Sequence, residues 1–103
     1  MTNSRAKGAA GERELAKKLR EFGVNARRGQ QYSGANGDAD VIGLEGVHIE
    51  CKRVERLNID NAMQQSINDA RELELPVVMH RRNGKRWLVT MTLDDFMNLW
   101  QGR

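Results

Sequence analysis

The chain has 103 residues, of which 39% are hydrophobic and 30% charged, with a formal net charge of +3. That length predicts a single domain, residues 1–103, with a thin core. One cysteine, Cys51, excludes an internal disulfide and a disulfide-stapled secreted scaffold, and it fits a reducing cytoplasm.

No apolar run approaches the ~18 residues of a membrane span. The stretch Met1–Lys7 lacks the apolar segment of a signal peptide. A cytoplasmic protein with no membrane partner is therefore expected. The mild basic excess is compatible with a polyanionic partner but is not evidence for one by itself.

Residues from about Ala6 to Phe22 read as a helix, with Leu15, Ala16, Leu19 and Phe22 at helical spacing and Gly23 at the end. Glu12 falls on this apolar stripe and Glu14 on the opposite face. A carboxylate in line with apolar residues costs free energy unless it has a partner. A short strand from Val24 to Arg28 follows, then a polar loop from Gly29 to Gly37.

Asp38 to Leu44 and Val47 to Val54 read as strands joined by a hairpin. Ile59 to Leu73 reads as a helix, with Ile59, Ala62, Met63, Ile67, Ala70 and Leu73 on one face and Asn58 or Asp60 as cap. Pro76 ends the connection. Val77 to Arg82 is a strand, Asn83-Gly84 a tight turn, and Arg86 to Met91 the partner strand. Thr92 caps a last helix from Leu93 to about Trp100. The order is α-β-β-β-α-β-β-α. The strand–helix–strand unit spanning Val47 to Arg82 should be a parallel crossover, and the first three strands an antiparallel meander. A mixed sheet flanked by helices is expected.

The chemistry concentrates between Asp38 and Lys52. Glu50 and Lys52 are two apart on a strand and share a face, while Val47, Ile49 and Cys51 face the other way. Asp40 must reach the face of Glu50 for both to hold one cation. A two-residue hairpin loop would place Asp40 opposite Cys51, on the wrong face. A three-residue loop pairs Gly43 with Val47 and places Asp40 opposite Glu50, and Gly46 stands where such loops need a left-handed residue. Two carboxylates so close repel unless a proton or metal intervenes. Oxygen ligands suit Mg²⁺, with Mn²⁺ as substitute. Glu12 would complete the set from the first helix. The small residues Gly8, Ala9, Ala10 and Gly11 around it would admit a DNA backbone.

The stretches Gly11-Glu12-Arg13-Glu14-Leu15, Gly37-Asp38-Ala39-Asp40-Val41-Ile42 and Ile49-Glu50-Cys51-Lys52 resemble the PD-(D/E)XK nuclease superfamily. Within it, the short chain and its opening look most like archaeal and phage Holliday-junction resolvases. The resemblance implies a restriction-endonuclease-like α/β fold and a metal-dependent endodeoxyribonuclease, in a bacterial, phage-infected or archaeal cell. It implies a homodimer acting on branched or junction DNA. It carries the metal ligands to Glu12, Asp40, Glu50 and the Cys51 carbonyl, and the catalytic lysine to Lys52. Ala39 stands where the superfamily often has proline. A glutamine on the following helix is also implied. Gln64 and Gln65 both qualify, with Gln65 preferred. The alternative readings are a phage-type nicking or trimming nuclease of the same fold and a non-catalytic DNA-binding module.

The expected DNA contacts are Arg5, Lys7, Arg13, Arg27, Arg28, Gln30, Tyr32 and Arg53. The loop carrying Arg27 to Tyr32 reads equally as a solvated loop. Arg81, Arg82, Lys85 and Arg86 read as a charged, exposed hairpin tip. His48 falls on the Glu50 face, either beside the site or as a structural histidine. His80 reads as structural, Cys51 as core, and Trp87, Phe96 and Trp100 as core or dimer surface.

Overall fold

The computed structural model describes residues 4–30 and 39–102, without the side chains of residues 4–7. Its elements are α1 (Ser4–Glu21), β1 (Arg27–Arg28), β2 (Val41–Ile42), β3 (Val47–Arg53), α2 (Ile59–Asp69), β4 (Leu75–Arg81), β5 (Leu88–Thr90) and α3 (Leu93–Trp100). The five strands form one sheet in the order β1-β2-β3-β4-β5. β3 and β4 are parallel, and the other pairs are antiparallel. Element order, crossover and meander are those expected from the sequence.

Alternation along β3 sorts its side chains between two layers. On one face Ile49 and Cys51 join Val41, Val77 and Met79 in a core closed by Leu15 and Ala16 of α1. On the other face lie His48, Glu50 and Lys52, toward α2. That helix docks through the buried residues Ala62 and Ser66, and the Ser66 hydroxyl donates to the Val77 carbonyl at 2.9 Å.

Gly11 is where α1 meets β3. A Cβ on Gly11 would stand 2.6 Å from Arg53 Cβ. The small residue at that position therefore admits a strand, which corrects the expectation that it clears a path for DNA. Gly8 has nothing within 4 Å.

Two other expectations need correction. The helix α2 stops at Asp69, because Ala70 is extended and Leu73 takes a positive φ of 73°. Leu73 is thus 96% exposed instead of facing the core. Pro76 lies inside β4, paired with His48. It is tolerated because β5 pairs only with Val78 to His80, so β4 is an edge on that side at Pro76. Glu14 accepts from Arg53 Nε at 3.2 Å and from Arg81 Nη1, tying α1 to β3 and β4. The helix α3 has no buried residue, so Phe96 and Trp100 are not core. Trp87 does pack, partly buried, against the core.

Candidate active site

The pairing Val41↔Ile49 fixes the register of the β2–β3 hairpin. Just before this pair, the Asp40 carboxyl comes beside the Glu50 side chain. The pairing is the three-residue-loop register, and Gly46 has the positive φ it requires, 81°. β2 extends no further than Val41 on this side, while β3 runs on to Arg53. Where the strands part, the Asp40 N–H donates to the Ile49 carbonyl at 3.0 Å, and the Cys51 N–H donates to Asp40 Oδ2 at 2.8 Å.

The Asp40 carboxyl lies beside that of Glu50. Glu50 is 4% exposed. Burial pushes its pKa up to about 8, the adjacent Asp40 adds to the rise, and Lys52 opposes it. Lys52 Nζ lies 3.7 Å from Glu50 Oε2. Two carboxyls held this close share a proton or take a cation. Their all-oxygen donor set fits Mg²⁺ or Mn²⁺.

Glu12 finds the partner its position demands. Arg28 Nε donates to Glu12 Oε1 at 2.9 Å, and the Glu12 side chain is 12% exposed. Burial raises the Glu12 pKa against the pull of Arg28, and the charge of Asp40 raises it further. Arg28, expected as a DNA contact, is exposed and pairs with Glu12.

Cys51 is buried, and burial raises its thiol pKa, so it is no nucleophile. Its contact with Asp40 runs through the N–H. On α2, Gln64 Nε2 is bonded to Asn68 Oδ1 at 2.9 Å. Gln65 is exposed and lies one turn before Asp69 on α2, so the two share a stripe.

Of the expected DNA contacts, Arg13, Arg27 and Gln30 are exposed. Arg53 is tied to Glu14 and lies 3.8 Å from Glu55. Tyr32, like Asp38, lies outside the described residues, and so do the side chains of Arg5 and Lys7. At the hairpin tip, Arg81 is bound to Glu14 and to the Lys85 carbonyl, while Arg82, Lys85 and Arg86 are exposed. His80 is structural: its Nε2 meets Thr90 Oγ1 at 2.8 Å, and burial lowers its pKa.

One grouping was not foreseen. Among the described residues, the cluster of His, Cys, Asp or Glu whose ligand atoms all lie within 4.8 Å of one another is His48, Glu50 and Asp69. Asp69 gave no local signal, because only the docking of α2 brings it to β3.

Comparison with known proteins agrees with this geometry. The profile of a family described as "Phage putative PDDEXK endonuclease" matches residues 3–103. The chain belongs to this PD-(D/E)XK family. Among curated proteins no sequence matches. Among solved structures, this nuclease is similar to the Holliday junction resolvase Hjc of Archaeoglobus fulgidus, with a TM-score of 0.60 and 22% identity over 82% of this chain and 72% of that one. The two share the restriction-endonuclease-like fold. No described helix of the nuclease is long and apolar enough to cross a membrane.

Proposed function

We propose that the protein is a single-domain, divalent-metal-dependent endodeoxyribonuclease that resolves Holliday junctions or other branched DNA as a homodimer. The observation that carries the nuclease chemistry is the adjacent pair Asp40 and Glu50 beside Lys52, at the point where β2 and β3 part.

Asp40 and Glu50 would hold Mg²⁺ or Mn²⁺, with Glu12 and the Cys51 carbonyl completing the set. A cation held there supplies a lowered water pKa and polarises the scissile phosphate. The chain's own residues do the rest. Lys52 stabilises the charge that develops on the phosphate oxygens. Glu50 and Asp40 orient the attacking water, and Gln65 reaches it from α2. Arg13, Arg27 and Gln30, with Arg5, Lys7 and Tyr32, hold the phosphate backbone. A pure binding module has no use for buried carboxyls facing phosphates, which weighs against the non-catalytic reading.

Resolution needs two symmetric cuts, and one chain offers one Asp40/Glu50/Lys52 site. A twofold dimer supplies the second. An apolar surface on β5 and α3 supports this: Leu88, Val89, Leu93, Leu99 and Trp100 are each more than half exposed. The similar fold of an archaeal resolvase is consistent with it.

The test is a cleavage panel with Mg²⁺ comparing four-way junction, flap, nicked and linear duplex DNA. Paired cuts confined to the junction are expected. Equal cutting of linear duplex would replace resolution by the nicking or trimming activity. Full cleavage in chelator would overturn the metal assignment.

A further inference from the structure

Glu50 faces two ways. Its Oε2 lies 3.7 Å from Lys52 Nζ, on the side of the proposed chemistry. Its Oε1 lies 3.9 Å from His48 Nε2. Around that second oxygen stand His48 and Asp69, with the three ligand atoms all within 4.8 Å of one another.

The His48 side chain is 5% exposed, and its Nε2 is a buried nitrogen with no hydrogen-bond partner. Leaving such an atom unpaired costs free energy, so an orphan in a folded protein points to something that satisfies it. On the other edge of the ring, Glu74 Oε1 lies 3.8 Å from Nδ1, and Glu74 is itself held by the Arg71 N–H at 2.7 Å. A neutral ring with its proton on Nδ1 offers a lone pair on Nε2. Metal-ligating histidines commonly direct their other ring nitrogen at a carboxylate. A cleft of about 260 Å³ opens beside His48 and Asp69 and gives an ion a way in.

We propose that His48 Nε2, Glu50 Oε1 and Asp69 form a second cation site, for a divalent transition metal of the Zn²⁺ or Mn²⁺ type. The donor set of one imidazole and two carboxylates suits these ions, whereas Mg²⁺ prefers oxygen and water. Ligands about 2.0–2.2 Å from such an ion stand roughly 3–3.6 Å apart. The observed His48–Glu50 separation of 3.9 Å therefore needs a contraction of about 0.3–0.9 Å, and Asp69, within 4.8 Å, has to close in as well. The site shares Glu50 with the proposed catalytic centre but does not depend on the nuclease chemistry.

The full chain, without added histidines, contains two histidines, so each is resolved in a ¹⁵N-histidine spectrum. Zn²⁺ added in the presence of excess Mg²⁺ is expected to shift the Nε2 signal of His48. That of His80, already bonded to Thr90, should stay in place. The shift should persist in Asp40→Asn. In Asp69→Asn, an exposed position where folding is not at stake, Zn²⁺ affinity by calorimetry should fall at least about tenfold. A His48 signal unmoved by Zn²⁺ overturns the proposal. So does unchanged affinity in Asp69→Asn, or a shift lost from folded Asp40→Asn. A chain that binds Zn²⁺ at His48 yet cuts no DNA would keep this site and remove the nuclease reading. A Mg²⁺-dependent nuclease with a silent His48 would do the reverse.

Discussion

Asp40 Oδ2 accepts the Cys51 N–H at 2.8 Å while the same carboxyl lies beside that of Glu50. The aspartate is thereby held by a strand amide and aimed at its partner. Because β3 is paired along its length with β4, this amide is a rigid anchor.

Asp40→Asn, Glu50→Gln and Lys52→Ala are each expected to cut cleavage by about 10²-fold or more, the scale on which single groups act on a transition state. Junction affinity should survive, or rise for the two carboxylate variants, since negative charge near phosphate is removed. Single-turnover cleavage and gel-shift titration on the same preparations, with circular dichroism as a check of folding, measure both. Wild-type cleavage by Glu50→Gln would place the chemistry elsewhere.

The raised Glu50 pKa makes stability depend on pH. Folding raises the Glu50 pKa from 4.5 to about 8, so the folded protein keeps a proton that the unfolded chain releases in that window. Stability from this group is fully present below the lower value and is lost as pH rises through the upper one. In chelator, the melting temperature should fall by about 5 °C or more between mildly acidic and mildly alkaline buffer. Glu50→Gln should flatten that decline, and Mg²⁺ should restore wild-type stability most strongly on the alkaline side. Parallel pH curves for wild type and Glu50→Gln would remove Glu50 as the cause.

Gly11 and Gly8 stand on the same helix in opposite circumstances. Gly11→Ala would press a methyl against Arg53 Cβ at 2.6 Å and should cost about 1–3 kcal/mol, with α1 and Glu12 displaced from β3. Gly8→Ala meets nothing within 4 Å and should stabilise by about 0.5–1 kcal/mol through helix propensity. Urea unfolding of the two variants side by side is the check. Equal effects would mean the contact at Gly11 is not tight.

Much of this was legible in the sequence because it is local. Period-two alternation separated Ile49 and Cys51 from Glu50 and Lys52, and Gly46 selected the hairpin register. Glu12 stood out as a charge on an apolar stripe and does have a partner, Arg28. What was not legible is tertiary. The end of α2 at Asp69 is set by an extended Ala70 and a left-handed Leu73, although the apolar periodicity continues. Pro76 reads as a breaker until β5 proves too short to need its amide. Asp69 and Glu74 approach His48 only through the crossover, with no spacing to announce them.

The exposed surface on α3 and β5 predicts assembly. Light scattering at micromolar concentration should give about twice the mass of one 11.7 kDa chain. Trp100→Glu, a fully surface change at a residue 74% exposed, should shift the protein toward monomer without lowering its melting temperature by more than about 2 °C. A monomer at every concentration, with and without junction DNA, would favour the nicking or trimming activity over resolution.

The hairpin between Ile42 and Val47 gives this enzyme an unusual kind of vulnerability. Gly43 has a φ of 135°, and a Cβ there would stand 2.7 Å from the Asn25 carbonyl and Ala26 Cα, so the turn is wedged against the chain before β1. Side chains at Leu44 and Glu45 can change with little effect on where Asp40 points. The count of residues cannot. Removing Glu45, or adding one residue beside it, turns Asp40 toward the layer of Ile49 and Cys51 while leaving every catalytic residue in the sequence. A lineage of such proteins would thus tolerate spelling errors in this loop but not a single insertion or deletion, and its inactive members would be recognised by loop length before any missing carboxylate.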